Sequence, residues 1–216
     1  MKKQIKLIFL MMSLVFMQTY VFGQTTYKEA EKALKGKAIK DARKEAKKWQ
    51  KQDYDNLPGD IPLEKQFEVS MVKQGMLDEE GNVRFIVAFG TALAGTEGVA
   101  SANALNNAIL ALAAQVSSEV SSLISNNKAN TQYNTEEVET IDEFISNSKT
   151  LVQKEIGQIK PAIRMSRRTA NKNIEYRYTV IYDLKKAKNI AKRVIKEGLK
   201  EQLKDNEEDL DALLGL

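Results

Sequence analysis

Four arrangements in this chain put chemically capable side chains at usable spacing. Ser146-x-x-Lys149 sets a hydroxyl and an amine one helical turn apart, where the lysine can activate the serine as a nucleophile. The Ser-Asp-Asn and Lys-Thr-Gly companions of that pair are missing, and Lys149-Thr150 runs on into Leu151. Glu136-Glu137 and Asp142-Glu143 offer oxygens to a hard cation. They lack calcium-loop spacing, and acids at a helix start already complement its dipole. The glycines from Gly90 to Gly98 precede a helical pattern, as in a phosphate cradle. Without Gly-x-Gly-x-x-Gly or Gly-Lys-Ser/Thr spacing they read as a flexible connection. Tyr176, Tyr178 and Tyr182 share a strand face with Ile174 and Val180, which would stack on sugars or bases or be packed by a helix. The chain has no histidine and no cysteine, so the usual base near neutral pH, the commonest transition-metal ligand, a thiolate and a disulfide are all missing. The residues therefore predict a non-enzymatic protein with no catalytic, cofactor or metal site.

The first twenty-three residues carry the clearest address. Lys2, Lys3 and Lys6 are followed by apolar runs from Leu7 to Met12 and Leu14 to Met17, with Val21 and Gly23 before the expected cleavage. A signal peptide over 1–23 makes Gln24 the first mature residue. A retained anchor would need about 20 apolar residues, and this run is shorter. Three of the 33 basic residues and none of the 29 acidic ones lie in this leader, which leaves 30 against 29, a net charge of +1. The basic balance of the whole chain is thus no argument for nucleic acid.

The elements behind these residues follow from periodicity. Residues 24–56 read as a charged N-terminal helix, opened by a Thr26/Glu29 capping box, with Tyr27, Ala30, Leu34, Ala38, Ala42, Ala46 and Trp49 on one side. Pro58-Gly59 marks a turn, and Asp60 is the expected cap of a short helix with Leu63, Phe67 and Met71 on one face. A strand over Phe67, Val69 and Met71 is the alternative. Val83, Phe85, Val87 and Phe89 alternate with Arg84, Ile86 and Ala88 in a clear strand, with a glycine turn after it.

A long alanine-rich helix over about Val99 to Ser125 carries a stripe of Leu105, Ile109, Leu112, Val116, Val120 and Leu123. Its back is small and neutral, at Asn103, Asn107, Ala114, Ser118, Ser121 and Ser125. The sequence predicts a cover for that back, from this chain or a second protomer. One helix is expected from Glu136 to Gly157, then a hairpin of Ile159–Arg168 and Ile174–Asp183, then a helix over Lys185 to Lys204 weakened by Gly198. An acidic tail with Leu210, Leu213, Leu214 and Leu216 ends the chain, and this tail and the back of the long helix are the expected contact surfaces. The expected fold class is α+β: an antiparallel sheet of about three or more strands, a long Ala-rich helix and a second helix packed on one face, and amphipathic helices at both ends. The expected divisions are 1–23, 24–56, an α+β domain over 57–184, and 185–216 as C-terminal helix and tail.

The strand from Phe85 to Gly90, the alanines Ala100, Ala104 and Ala108 and the Val116-Ser117-Ser118-Glu119-Val120 end resemble the twenty-kilodalton outer-envelope lipoprotein family and the N-terminal domain of flagellar assembly protein T. The resemblance covers about residues 62–183. It implies an α+β fold, a periplasmic or outer-envelope location and an assembly-related role without catalysis. The family's lipidated cysteine is replaced by Gln24, so a lipid anchor is not expected. The combined expectation is an exported envelope protein, periplasmic, outer-membrane-associated or secreted. Its partner would be an envelope protein or a second copy, with no nucleic acid, no membrane span after cleavage, and room for peripheral membrane contact. The alternatives are a binding module for an envelope polymer or lipid surface using Lys35 to Lys51 with Trp49, and a hydrolase using Ser146 and Lys149.

Overall fold

The computed structural model describes residues 32–128, 133–203 and 207–215. The expected leader, the Thr26/Glu29 box and Leu216 lie outside the described residues. In chain order the elements are α1 (residues 32–50), β1 (Asp55–Asn56), α2 (Leu63–Gln74), β2 (Phe85–Ala94), α3 (Glu97–Lys128), α4 (Thr135–Asn147), α5 (Lys149–Ile156), β3 (Ile163–Arg168), β4 (Ile174–Asp183), α6 (Leu184–Leu203) and α7 (Glu207–Leu214). The four strands form one antiparallel sheet in the order β1-β3-β4-β2. This is the α+β fold that the sequence predicts, with a fourth strand. Asp55 and Asn56 pair with Ser166 and Met165 where the sequence reads as the end of a helix and a turn. Helix α1 stops earlier because Asp53 takes a left-handed conformation (φ 64°), and the buried Tyr54 follows it.

Strand alternation gives the sheet two unlike faces. Ile86, Ala88 and Gly90 of β2 lie beside Tyr182, Val180 and Tyr178 of β4, and this face receives α3. The next strand position, Phe85-Val87-Phe89, looks the other way. Its large side chains are half-buried or exposed while the small ones meet the helix. Gly90 belongs to the strand and opens no turn. A Cβ there would lie 2.1 Å from the Ala104 carbonyl and 2.3 Å from the Ala108 nitrogen, so its missing side chain is the space into which α3 settles. The spaced alanines Ala100, Ala104, Ala108 and Ala113 are fully buried for the same reason.

Helices cover both faces of the sheet, where the sequence placed them on one. On the second face Ala42 and Ala46 of α1 and Leu63 and Phe67 of α2 close over Ile163 and Met165 of β3. Phe67 and Met71, four residues apart, share that side of α2 and Val69 is exposed, which decides the segment as helix. Asp60 does not cap α2: Pro62 holds the cap position with no side-chain bond. The Asp60 carboxylate instead pairs in a fork with the Arg164 guanidinium on β3, a stronger partner than one amide.

α5, α6 and α7 lie against the far side of α3, and α4 rests on α5 and α6. The predicted single helix after residue 134 is two, because the buried Ser148 hydroxyl takes the Ile145 carbonyl at 2.8 Å and its own N–H takes the same oxygen at 3.3 Å. β3 starts at Ile163 and not at Ile159, with Pro161, which has no N–H, just before it. Gly198 is no weak point of α6: the Phe144 ring occupies the place of its side chain, 1.9 Å from where a Cβ would lie. Glu97–Asn127 is long and apolar enough to cross a membrane by length and composition. In this fold it is the central helix, with Leu112, Val116 and Ile124 fully buried.

Candidate interaction surface

β2 is the edge strand opposite β1, ten residues long, with no charged residue and no proline. Such an edge presents main-chain donors and acceptors to any other strand. The chain manages it from α3. Asn107 donates its amide N–H to the Thr91 carbonyl at 3.0 Å, and Gln115 donates to the Val87 carbonyl at 3.4 Å. Eight residues of helix advance about 12 Å. Four residues of strand advance about 13 Å, so the two amides meet alternate outward carbonyls in register.

The exposed side chains of β2 itself and of the adjoining side of α3 are uncharged. Phe89 and Leu93 are each 55% exposed on β2, with Leu110 on α3 also exposed. Asn103, Asn107 and Ser118 of α3 are exposed beside them. Glu97 is the one charged residue between Phe85 and Ser118, and it faces Arg168 at 3.4 Å. The predicted cover over the back of α3 is therefore partial. Ala100 and Ala104 are buried, but Asn103, Asn107, Ser118 and Ser125 remain open to solvent. The leucines of the tail behave in the opposite way: Leu210, Leu213 and Leu214 are fully buried in the chain's own core and offer no surface.

Elsewhere on the outer sheet face the polar groups are mutually satisfied. The Arg177 guanidinium stacks 4.5 Å from the Trp49 ring and 5.9 Å from Phe89. Arg167 lies 4.7 Å from Tyr54 and pairs with Glu175 at 2.7 Å. Burial, then the Glu175 charge, pushes the Tyr54 hydroxyl up. Trp49 thus faces the sheet and not the solvent. The predicted tyrosine stripe is packed: Tyr176 and Tyr178 are buried under α3, with the Tyr178 hydroxyl 2.7 Å from that of Ser101.

The remaining candidates are not assembled into a site. Ser146 and Lys149 are both exposed where α4 meets α5, and no hydrogen bond joins them. Glu137 closes a capping box with Asn134, and Glu136 and Glu143 are exposed. Among the described residues no cluster of three acids could hold a metal ion. An open cleft of about 930 Å³ lies between the Asp78–Asn82 turn and Lys185, Lys188 and Lys192 of α6. Several of its groups are committed to neighbours: Lys188 to Glu119 at 2.6 Å, Lys192 to the Gly215 carbonyl at 3.0 Å, and Asp78 to the amides of Glu80 and Asn82 at 3.0 and 2.8 Å. Sequence reasoning missed the Asn107 and Gln115 edge caps. The available signal was a pair of amides eight residues apart on the helix that follows an uncharged strand.

No family model matches the chain, and no curated protein and no solved structure matches it either.

Proposed function

We propose that this chain is an exported cell-envelope protein that works by protein–protein contact and not by catalysis. The observation that carries this reading is the uncharged strip formed by the β2 edge and the adjoining side of α3, in a chain of which 29% is charged. Contiguous apolar and neutral surface of this kind marks interaction sites. The basic and apolar first twenty-three residues support export, to the periplasm, the outer membrane surface or the medium. The likeness of the strand, glycine and alanine-rich helix to the outer-envelope lipoprotein and flagellar assembly types supports an assembly role. The partner is an envelope protein or a second copy, held by the strip and not by the buried leucine tail.

The test is a photo-reactive side chain placed at Leu110 of the full chain in cells, with the same group at the exposed Lys149 as control. A discrete cross-linked product from Leu110 and none from Lys149 is the expected result. Absence of any product from Leu110, Asn103 or Leu93 overturns the reading.

A further inference from the structure

Helix α1 and its next residue carry nine basic residues and two acidic ones between Lys32 and Lys51. The structure divides that charge unevenly around the helix. Ala42 and Ala46 face the domain with no exposure, and Trp49 packs beside them against Tyr54. The side pointing away holds Lys37, Lys40, Lys44, Lys47 and Lys51, all exposed. Their separations are three, four, three and four residues, so they form one straight row about 21 Å long. Lys51 stays in helical register through its N–H to the Lys47 carbonyl at 3.1 Å. None of the five makes an ion pair among the described residues. Two salt bridges of α1 lie on its flanks, Arg43 with Glu68 at 2.8 Å and Lys48 with Glu45 at 3.4 Å.

Like charges three or four residues apart repel by a few tenths of a kcal/mol per pair, and a stable surface helix interleaves acids to reverse the sign. Four successive neighbours in this row are lysine pairs. Asp41, four residues after Lys37 and three before Lys44, is the one acid at that spacing beside the row, so the lysines remain in excess on this face.

We infer that this lysine row docks the protein on an anionic phospholipid bilayer. The row is straight and exposed. The helix continues beyond the domain at its N-terminal end, where residues 32–37 are all exposed, Leu34 by 68%. A cluster of cations on one helix face is attracted to acidic headgroups through the summed surface potential. The row contains lysine and no arginine, which suits a field of headgroups better than fork-like recognition of one phosphate. It contains no aromatic ring to stack a base, since Trp49 is turned inward. Membrane docking goes beyond the protein contact proposed above and uses a different surface.

The experiment is co-sedimentation of the full chain with vesicles of phosphatidylcholine, with and without phosphatidylglycerol, at low and high salt. It compares wild type with the triple variant Lys40→Gln/Lys44→Gln/Lys47→Gln. The apolar leader is common to both chains, so their difference reads the row alone. The expected result is about hundredfold weaker binding of the variant to phosphatidylglycerol vesicles at low salt, with binding to pure phosphatidylcholine unchanged. Thermal unfolding controls for fold, and relief of repulsion leaves the variant's Tm equal or higher. Equal binding by the two chains overturns the inference. So does wild-type binding to duplex DNA or heparin as tight as to the anionic vesicles, which would make the row a general polyanion site. Salt-sensitive self-association that the triple variant abolishes, without vesicle binding, would assign the row to a second copy instead.

Discussion

At the scale of single residues, the distance between strand β2 and helix α3 is set by an atom that Gly90 lacks. A methyl group there would sit 2.1 Å from the Ala104 carbonyl and 2.3 Å from the Ala108 nitrogen, both main-chain atoms that cannot rotate away. Gly90→Ala should therefore cost about 3 kcal/mol by overpacking. Denaturant unfolding measures this, and a loss of only a few tenths would mean that α3 can slide off the sheet. Glu68 is the corresponding polar contact between α1 and α2. Hydrogen bonds from Lys65 and then Arg43 hold its carboxyl below the usual carboxylate range. A depressed folded pKa contributes stability above the unfolded value and loses it as pH falls through the folded one. The α1–α2 contact should loosen on that acid limb, followed by hydrogen exchange of α1 amides. Glu68→Gln should flatten this dependence, and a variant profile that keeps the wild-type acid limb would exclude Glu68 as its source. Gly90 was visible in the sequence as a glycine but not as a contact, because its neighbour lies fourteen residues later on another element.

At the scale of elements, the acidic tail changes meaning. Read alone, Leu210, Leu213 and Leu214 after a run of acids look like an adhesive segment. Folded as α7 they are fully buried against α3 and α6. Asn127 fastens the same end by donating to the Ala212 and Leu213 carbonyls at 3.3 and 3.0 Å. Leu213→Ala should thus destabilise the whole domain by about 3 kcal/mol, as deletion of a buried leucine does. Thermal unfolding checks this; a variant with unchanged Tm would return the tail to the surface. The long helix was legible because a 3.6-residue period survives over many turns, and the β4 alternation was equally plain. The break at Ser148 was not, since it depends on one hydroxyl being buried where it can reach back to Ile145.

At the scale of the whole molecule, a neutral strip runs along the sheet edge between two helical layers. The lysine row lies on the outside of one layer, and the other sets the acids of α4 against the lysine-rich α6. The composition determined that no histidine or cysteine chemistry is available, and the local periodicities determined the order and kind of most elements. These follow from neighbours within a few residues, which the sequence displays directly. Tertiary structure alone decided which side of each element is covered. It put helices on both sheet faces, left β2 at the edge with Asn107 and Gln115 guarding its carbonyls, turned Trp49 inward and buried the tail. Those outcomes depend on pairings between residues far apart in the chain, where register and close approach, and not residue type, select what remains exposed.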